Sequence, residues 1–229
     1  MTVARTALLL DLDGTLLDTA PDMGGALNLL RAEAGREPLP LASIRPVVSH
    51  GAIRLVSMGF PEATGAEFER LRLRFLELYS QNLALRTELF PGIEPVLDEL
   101  ERSGLPWGVV TNKPGWLTDP LMASLGLDRR ASCVVSGDTV AERKPHPLPL
   151  LHAAALVGVA PANCVYVGDA ERDIQAGRAA GMTTVVAAYG YISAEDDPAL
   201  WQPTGIVAEP IELLEWIGAA APRAIGERR

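Results

Sequence analysis

Two carboxylates stand two residues apart in Asp11-Leu12-Asp13-Gly14-Thr15-Leu16, directly after the apolar run Ala7–Leu10. If that run is a buried strand, both side chains leave its end aimed at nearly the same place. Gly14 lets the chain turn there at little steric cost. A pair so placed can do nucleophilic and acid/base work at one centre; the plainer alternative is a surface Asx turn with a helix cap. Thr111-Asn112 follows the run Trp107–Val110. Its hydroxyl and backbone N–H groups suit a phosphate oxygen, or equally a cap on the next helix. Lys144 stands before Pro145 in a restrained turn; taken alone it reads as a solvated charge. Gly168-Asp169 closes the run Cys164–Val167, and an aspartate there suits a hard cation such as Mg2+, which prefers oxygen ligands.

These segments need a scaffold that brings them to one rim. Ala7–Leu10, Trp107–Val110, Cys133–Val135, Cys164–Val167 and Thr184–Ala187 read as parallel strands buried on both faces, because apolar and polar residues do not alternate in them. Helical patterns lie between, at Ile93–Arg102, Leu117–Leu125, Pro147–Val157 and Ile174–Ala180, followed by Gly104, Gly126, Gly158 and Gly181. The alternation implies an α/β fold with a Rossmann-like, doubly wound parallel sheet. From Thr19 to Leu89 no strand pattern appears. Ala26–Glu33, Ala52–Ser57 and Ala66–Leu85 read as helices, the last with Phe68, Leu71, Phe75, Leu78 and Tyr79 at helical spacing. The expected organisation is a core of residues 1–18 and 90–229, with a helical module at 19–89 inserted beyond the first strand. In such sheets ligands bind past the carboxyl ends of the strands, so the module is placed to cover a site.

Composition narrows the function classes. With 229 residues the chain can bury a sizeable core. Its net charge of −9 and lack of a basic run argue against nucleic acid as a partner. No apolar stretch reaches the length of a membrane span, and the run before Asp11 ends in carboxylates rather than a small-residue cleavage site. The expected setting is therefore the cytoplasm, away from membranes. Cys133 and Cys164 lack metal-ligand spacing and read as buried, reduced thiols.

Taken together, Asp11–Leu16, Thr111–Asn112, Lys144–Pro145 and Gly168–Asp173 are far more specific than any one of them. In that order they resemble the four motifs of the haloacid dehalogenase-like superfamily, over Leu8 to about Ala208. The helical insertion resembles that superfamily's cap domain. The resemblance implies that Asp11 attacks phosphorus and becomes a phospho-aspartate, while Asp13 protonates the leaving alcohol and then activates water. It implies that Thr111 and Asn112 bind phosphoryl oxygens and that Lys144 neutralises charge. Mg2+ would be held by the Asp11 carboxylate, the Asp13 backbone carbonyl and Asp169. Asp173 would support the metal or Lys144, or cap the next helix. Asp13 is expected to be protonated for its first task by acidic crowding. Its presence favours phosphoryl transfer over carbon–halogen cleavage, which needs no acid for an alcohol.

Leu16–Asp22 and Val109–Pro114 resemble the phosphoglycolate phosphatase branch. Val47–Ser49, Gly51-Ala52 and Tyr189–Ile192 are similar to the phosphatase of N-acetylmuramic acid 6-phosphate. Both esters carry a carboxylate, and the polar loop Ser49-His50-Gly51-Ala52 with Arg54 is expected to face the site and read it; His50 stands where both relatives suggest Gly. The expected enzyme is thus a phosphatase of a small-molecule phosphate ester, monomeric or homodimeric. A sugar-phosphate mutase and an inactive binding relative are the alternatives. Lys113 reads as either a substrate contact or a surface charge, and Arg172 as a surface residue. His146 and His152 read as local helix residues, Trp107 as core, and Trp116, Trp201 and Trp216 as core or interface.

Overall fold

The computed structural model describes residues 6–218; residues 1–5 and 219–229, which the sequence reading assigns to the core, lie outside the described residues. The first strand, β1 (Ala7–Leu10), has every side chain buried. Leu8 and Leu10 enter one apolar cluster, while Ala7 and Leu9 enter another on the opposite face. That division explains the missing alternation, since a strand with helices on both faces needs apolar side chains on both. After β1 come a two-residue strand, β2 (Leu17–Asp18), and helices α1 (Ala20–Glu33), α2 (Leu41–Ile44), α3 (Gly51–Gly59) and α4 (Gly65–Gln81). The chain returns through β3 (Glu88–Leu89) to α5 (Ile93–Arg102), β4 (Trp107–Val110), α6 (Gly115–Ser124), β5 (Cys133–Val135), α7 (Leu148–Val157), β6 (Cys164–Gly168), α8 (Glu171–Ala179), β7 (Thr183–Ala187), β8 (Gly205–Val207) and α9 (Leu213–Trp216).

The main sheet has the order β5-β4-β1-β6-β7-β8, parallel throughout. The chain winds outward from β1 first one way and then the other, which is the doubly wound topology. β1 lies between β4 and β6, with Leu8 opposite both Trp107 and Val165. The residues just past these strands therefore share one rim. β8 escapes the sequence reading: it is three residues long, begins with Gly205 and pairs only with β7 at the sheet's edge. The β2–β3 pair, with Leu17 opposite Leu89 and Asp18 opposite Glu88, escapes too, being too short for any periodic signal.

The helices follow their apolar spacing. Ile93, Val96, Leu97 and Leu100 of α5 are fully buried, one stripe of the i, i+3, i+4, i+7 kind, each contributing about 1.5–3 kcal/mol by burial. α4 buries Leu71, Phe75, Leu78 and Tyr79 and packs chiefly on α1. α1 begins six residues before the expected Ala26, since Pro21 is tolerated in a first turn and Asp22 adds favourable charge there. The Asp22 carboxylate accepts hydrogen bonds from the Arg86 and Thr87 amides and the Thr87 hydroxyl. It thereby ties the outgoing chain to the returning one. Trp107 is core, and Cys133 and Cys164 are buried free thiols. Among the described residues, no helix is long and apolar enough to cross a membrane.

Candidate active site

Asp11 is the first residue beyond β1 and is buried. Its Oδ1 accepts from the Leu12 amide at 2.8 Å and pairs with Lys144 Nζ at 2.8 Å. Lys144 is no surface charge. Its ammonium also meets Asp173 Oδ1 at 2.8 Å, the Val110 carbonyl at 2.8 Å and the Tyr166 hydroxyl at 2.7 Å. Burial pushes the Asp11 carboxyl up, Lys144 pulls it down, and the first effect prevails. Asp173 does two jobs, since its other oxygen accepts from the Ala170 amide at 3.1 Å at the start of α8.

The loop that carries Lys144 is held by Asn112. The Asn112 carboxamide accepts from the Lys144 amide at 3.0 Å and donates to the Lys144 carbonyl at 2.9 Å. Asn112 borders the cavity, but its side chain positions Lys144, a contact that the expectation of a phosphate ligand did not include. Thr111 does not cap α6, which starts after Pro114. Its Oγ1 accepts from the Lys113 amide at 3.1 Å, and it lines the cavity.

Asp13 lies in surroundings different from those expected. Lys113 Nζ sits 2.8 and 3.0 Å from its two carboxylate oxygens, and the Thr19 hydroxyl donates at 2.7 Å. Lys113 is therefore buried, with its charge 4.7 Å over the Tyr79 ring. Burial disfavours that ammonium, but Asp13 and Tyr79 outweigh it and hold its pKa above the usual lysine value. The acidic crowding falls on Asp169 instead. Burial first, then the charges of Asp11 and Asp173, push the Asp169 carboxyl up to about 7.

Asp169 Oδ2 accepts from the Ser49 hydroxyl at 2.6 Å and the Tyr191 amide at 2.9 Å, while its Oδ1 is buried with no hydrogen-bond partner. Carboxylate oxygens of Asp11, Asp169 and Asp173 lie within 4.8 Å of one another. A bare, buried carboxylate oxygen in an all-oxygen cluster fits a divalent cation, which removes the desolvation cost. Asp173 thus joins Asp11 and Asp169 in the cluster. Asp13 turns its carboxylate to Lys113 and leaves its carbonyl toward Ser49, at 3.2 Å.

Gly14 makes this close approach possible. Its φ is +85°, and a Cβ there would lie 2.0 Å from Asp169 Oδ2. Gly14→Ala is expected to displace Asp169 and weaken divalent-cation binding by at least about tenfold, read by calorimetric titration; unchanged affinity would show that Asp169 need not sit where it does.

A cavity of about 670 Å³ is lined by Asp11, Asp13 and Ser49. His50 lines it, and burial followed by the charge of Arg172 holds its imidazole below the usual value. Arg54 is exposed on α3 and does not line the cavity, because it falls on the outer side of the helix that buries Leu55 and Val56. Arg172, expected at the surface, lines the cavity instead and donates to the Ser49 carbonyl at 2.6 Å. Arg72, Arg143, Leu73, Leu76 and Trp116 also line it. Arg72, Leu73, Leu76 and Trp116 carry no local sequence signal; Lys113, adjoining Thr111-Asn112, and Arg143, adjoining Lys144, could have been suspected.

The family model for haloacid dehalogenase-like hydrolases matches residues 8–187. The chain is 49% identical over 203 residues to the phosphoglycolate phosphatase of Xylella fastidiosa, covering 89% of each protein. It is 43% identical over 217 residues to the N-acetylmuramic acid 6-phosphate phosphatase of Pseudomonas putida, covering 93% of this chain and 96% of that one. The crystal structure of a predicted phosphoglycolate phosphatase from Haemophilus somnus superposes with a TM-score of 0.82 at 27% identity, covering 94% of this chain and 99% of the other.

Proposed function

Because the chain belongs to the haloacid dehalogenase-like hydrolase family, we propose that it is a Mg2+-dependent phosphatase that cleaves a small phosphomonoester through a phospho-aspartate on Asp11. The observation that carries this reading is the buried arrangement of Asp11, Lys144 and Asp169 beneath a cavity. An anionic nucleophile approaches a phosphate dianion only where cations offset the repulsion. Lys144 supplies one fixed charge. Mg2+, held by Asp11, Asp169 and the Asp13 carbonyl, would supply Lewis-acid charge neutralisation.

Asp11 attacks phosphorus while Thr111 offers a hydroxyl to a phosphoryl oxygen. Asp13, fixed by Thr19 and Lys113, must enter the first step protonated: it gives that proton to the leaving alkoxide and, as carboxylate, regains one from the water that attacks the phospho-aspartate. Asn112 keeps Lys144 in register. The cap is the helical stretch of residues 19–89, and the core comprises 1–18 and 90–229. The short β2–β3 pair and the Asp22–Thr87 contacts support a hinge between them. Closure of that cap over the cavity excludes water during the first step.

The ester carries a carboxylate, as do the substrates named for the Xylella and Pseudomonas relatives. Arg172, Arg143 and Arg72 offer donors to such a group. The cavity's volume and the apolar wall of Leu73, Leu76 and Trp116 favour a sugar-sized ester over a two-carbon one.

Phosphate release from phosphoglycolate, N-acetylmuramic acid 6-phosphate, hexose phosphates and nucleotides, compared by kcat/KM, tests the reading. A carboxylated ester is expected to lead the series. Chelation is expected to stop release, and added Mg2+ to restore it. Turnover that persists in chelator contradicts the cation's role. Isomerisation without net phosphate release, dependent on a bisphosphate, would make the protein a mutase; inertness toward the whole panel would make it a binding relative.

A further inference from the structure

We infer that Ser49 is a positioning residue of the cation site, supplied from the helical segment across the cleft, so that cation binding and closure of that segment strengthen one another. The inference rests on reading Asp11, Asp169 and the Asp13 carbonyl as the cation's ligands. Ser49 Oγ lies 2.6 Å from Asp169 Oδ2 and 3.2 Å from the Asp13 carbonyl oxygen. A serine hydroxyl has one hydrogen, and the nearer acceptor takes it. The Asp13 carbonyl then faces an oxygen with no proton to share. Asp169 Oδ1 is buried without any partner, and the Asp11 and Asp173 carboxylates adjoin it. Oxygens outnumber protons at this spot, which is the environment a hard cation satisfies.

The backbone of Ser49 is held as well, since Arg172 donates to its carbonyl at 2.6 Å. One residue of the loop therefore reaches the core three times, and two of those contacts are to expected cation ligands. Ser49 and the Tyr191 amide fix Oδ2 and so set the rotation of the Asp169 carboxylate, whose Oδ1 stays buried without a partner. Without Ser49 it loses one of the two bonds that set its rotation. Contacts that orient a metal ligand typically contribute 10–100-fold in affinity. Linkage is reciprocal, so a cation that gains from the closed loop must stabilise the closed loop by the same factor.

Calorimetric titration of Mg2+ into the full-length wild type and Ser49→Ala, without substrate, tests this, together with hydrogen exchange of the amides at 45–52. Ser49→Ala is expected to raise the Mg2+ Kd by about 10–100-fold with the metal-free fold retained by circular dichroism. Mg2+ is expected to slow exchange of the 45–52 amides in the wild type and not in the variant. A Kd within about twofold of wild type, far short of the effect typical of ligand-orienting contacts, overturns the inference. So does Mg2+ protection that survives in Ser49→Ala, or loss of the metal-free fold in that variant. Wild-type protein that binds Mg2+ yet releases no phosphate would sink the catalytic reading alone. Phosphate release by the wild type, with normal Mg2+ binding by Ser49→Ala, would sink this inference alone.

Discussion

Asp11→Asn is expected to lower kcat by on the order of 10⁵-fold or more, the scale seen when a covalent catalyst loses its nucleophile, with the fold intact. Asp11 Oδ1 is occupied by the Leu12 amide and Lys144. Among the described residues no hydrogen bond engages Oδ2, which leaves it available to phosphorus. A carboxamide keeps the shape and loses the charge, and neither its oxygen nor its nitrogen attacks phosphorus at a useful rate. Stability should not suffer, because the substitution removes one of several buried negative charges around Lys144. Two measurements check this. Steady-state phosphate release gives kcat. Intact-protein mass after acid quench should reveal a phosphoryl group on the wild type and none on the variant. Wild-type turnover by a sample verified as Asn at position 11 would end the phospho-aspartate proposal.

Lys144→Met is expected to destabilise the protein by about 3–5 kcal/mol, the cost of leaving buried partners of an ion pair uncompensated. For a chain of this size that corresponds to a fall in Tm of roughly 6–20 °C. The ammonium lies 2.8 Å from both Asp11 and Asp173, and methionine fills the channel without neutralising either. The loss should also depend on pH. Burial already holds Asp11 above the usual carboxylate value even with Lys144 present. A carboxyl that binds its proton more tightly in the folded state makes stability fall as pH rises from the unfolded value through the folded one. Removing the lysine raises the folded value further and widens that window. Lys144→Met should therefore recover part of its deficit at pH 5 relative to pH 8, and Mg2+ should restore more, by supplying charge to the same cluster. Urea unfolding at the two pH values, with and without Mg2+, reads all three effects. A variant as stable as wild type at pH 8 would mean that Lys144 does not carry the charge balance of the site.

Arg54 and Arg172 show how little a local pattern conveys about which arginine faces the cavity. Arg54 stands two residues past Ala52 of the cavity loop and is exposed, while Arg172, on α8, lines the cavity. Helical rotation decides this: residues adjacent in sequence diverge by a wide angle, and only the packing of Leu55 and Val56 sets which way α3 is turned.

Asp11, Thr111 and Asp169 were legible because each directly ends a run buried on both faces, and a parallel sheet brings such strand ends to one rim whatever the loops do. Lys144 and Asp13 were legible by type and order, but not by environment. The Lys113–Asp13 pair joins residues 100 apart in sequence, Ser49–Asp169 joins residues 120 apart, and Arg172–Ser49 joins residues 123 apart. Such contacts depend on how separate elements dock, which no short-range pattern encodes. The strand ends and the residue types that stand at them were thus determined by the sequence alone. Only the tertiary structure decided that Lys113 is buried against Asp13, that Asn112 holds the Lys144 loop, and that Ser49 of the helical segment reaches Asp169, because burial and charge balance arise where distant segments meet.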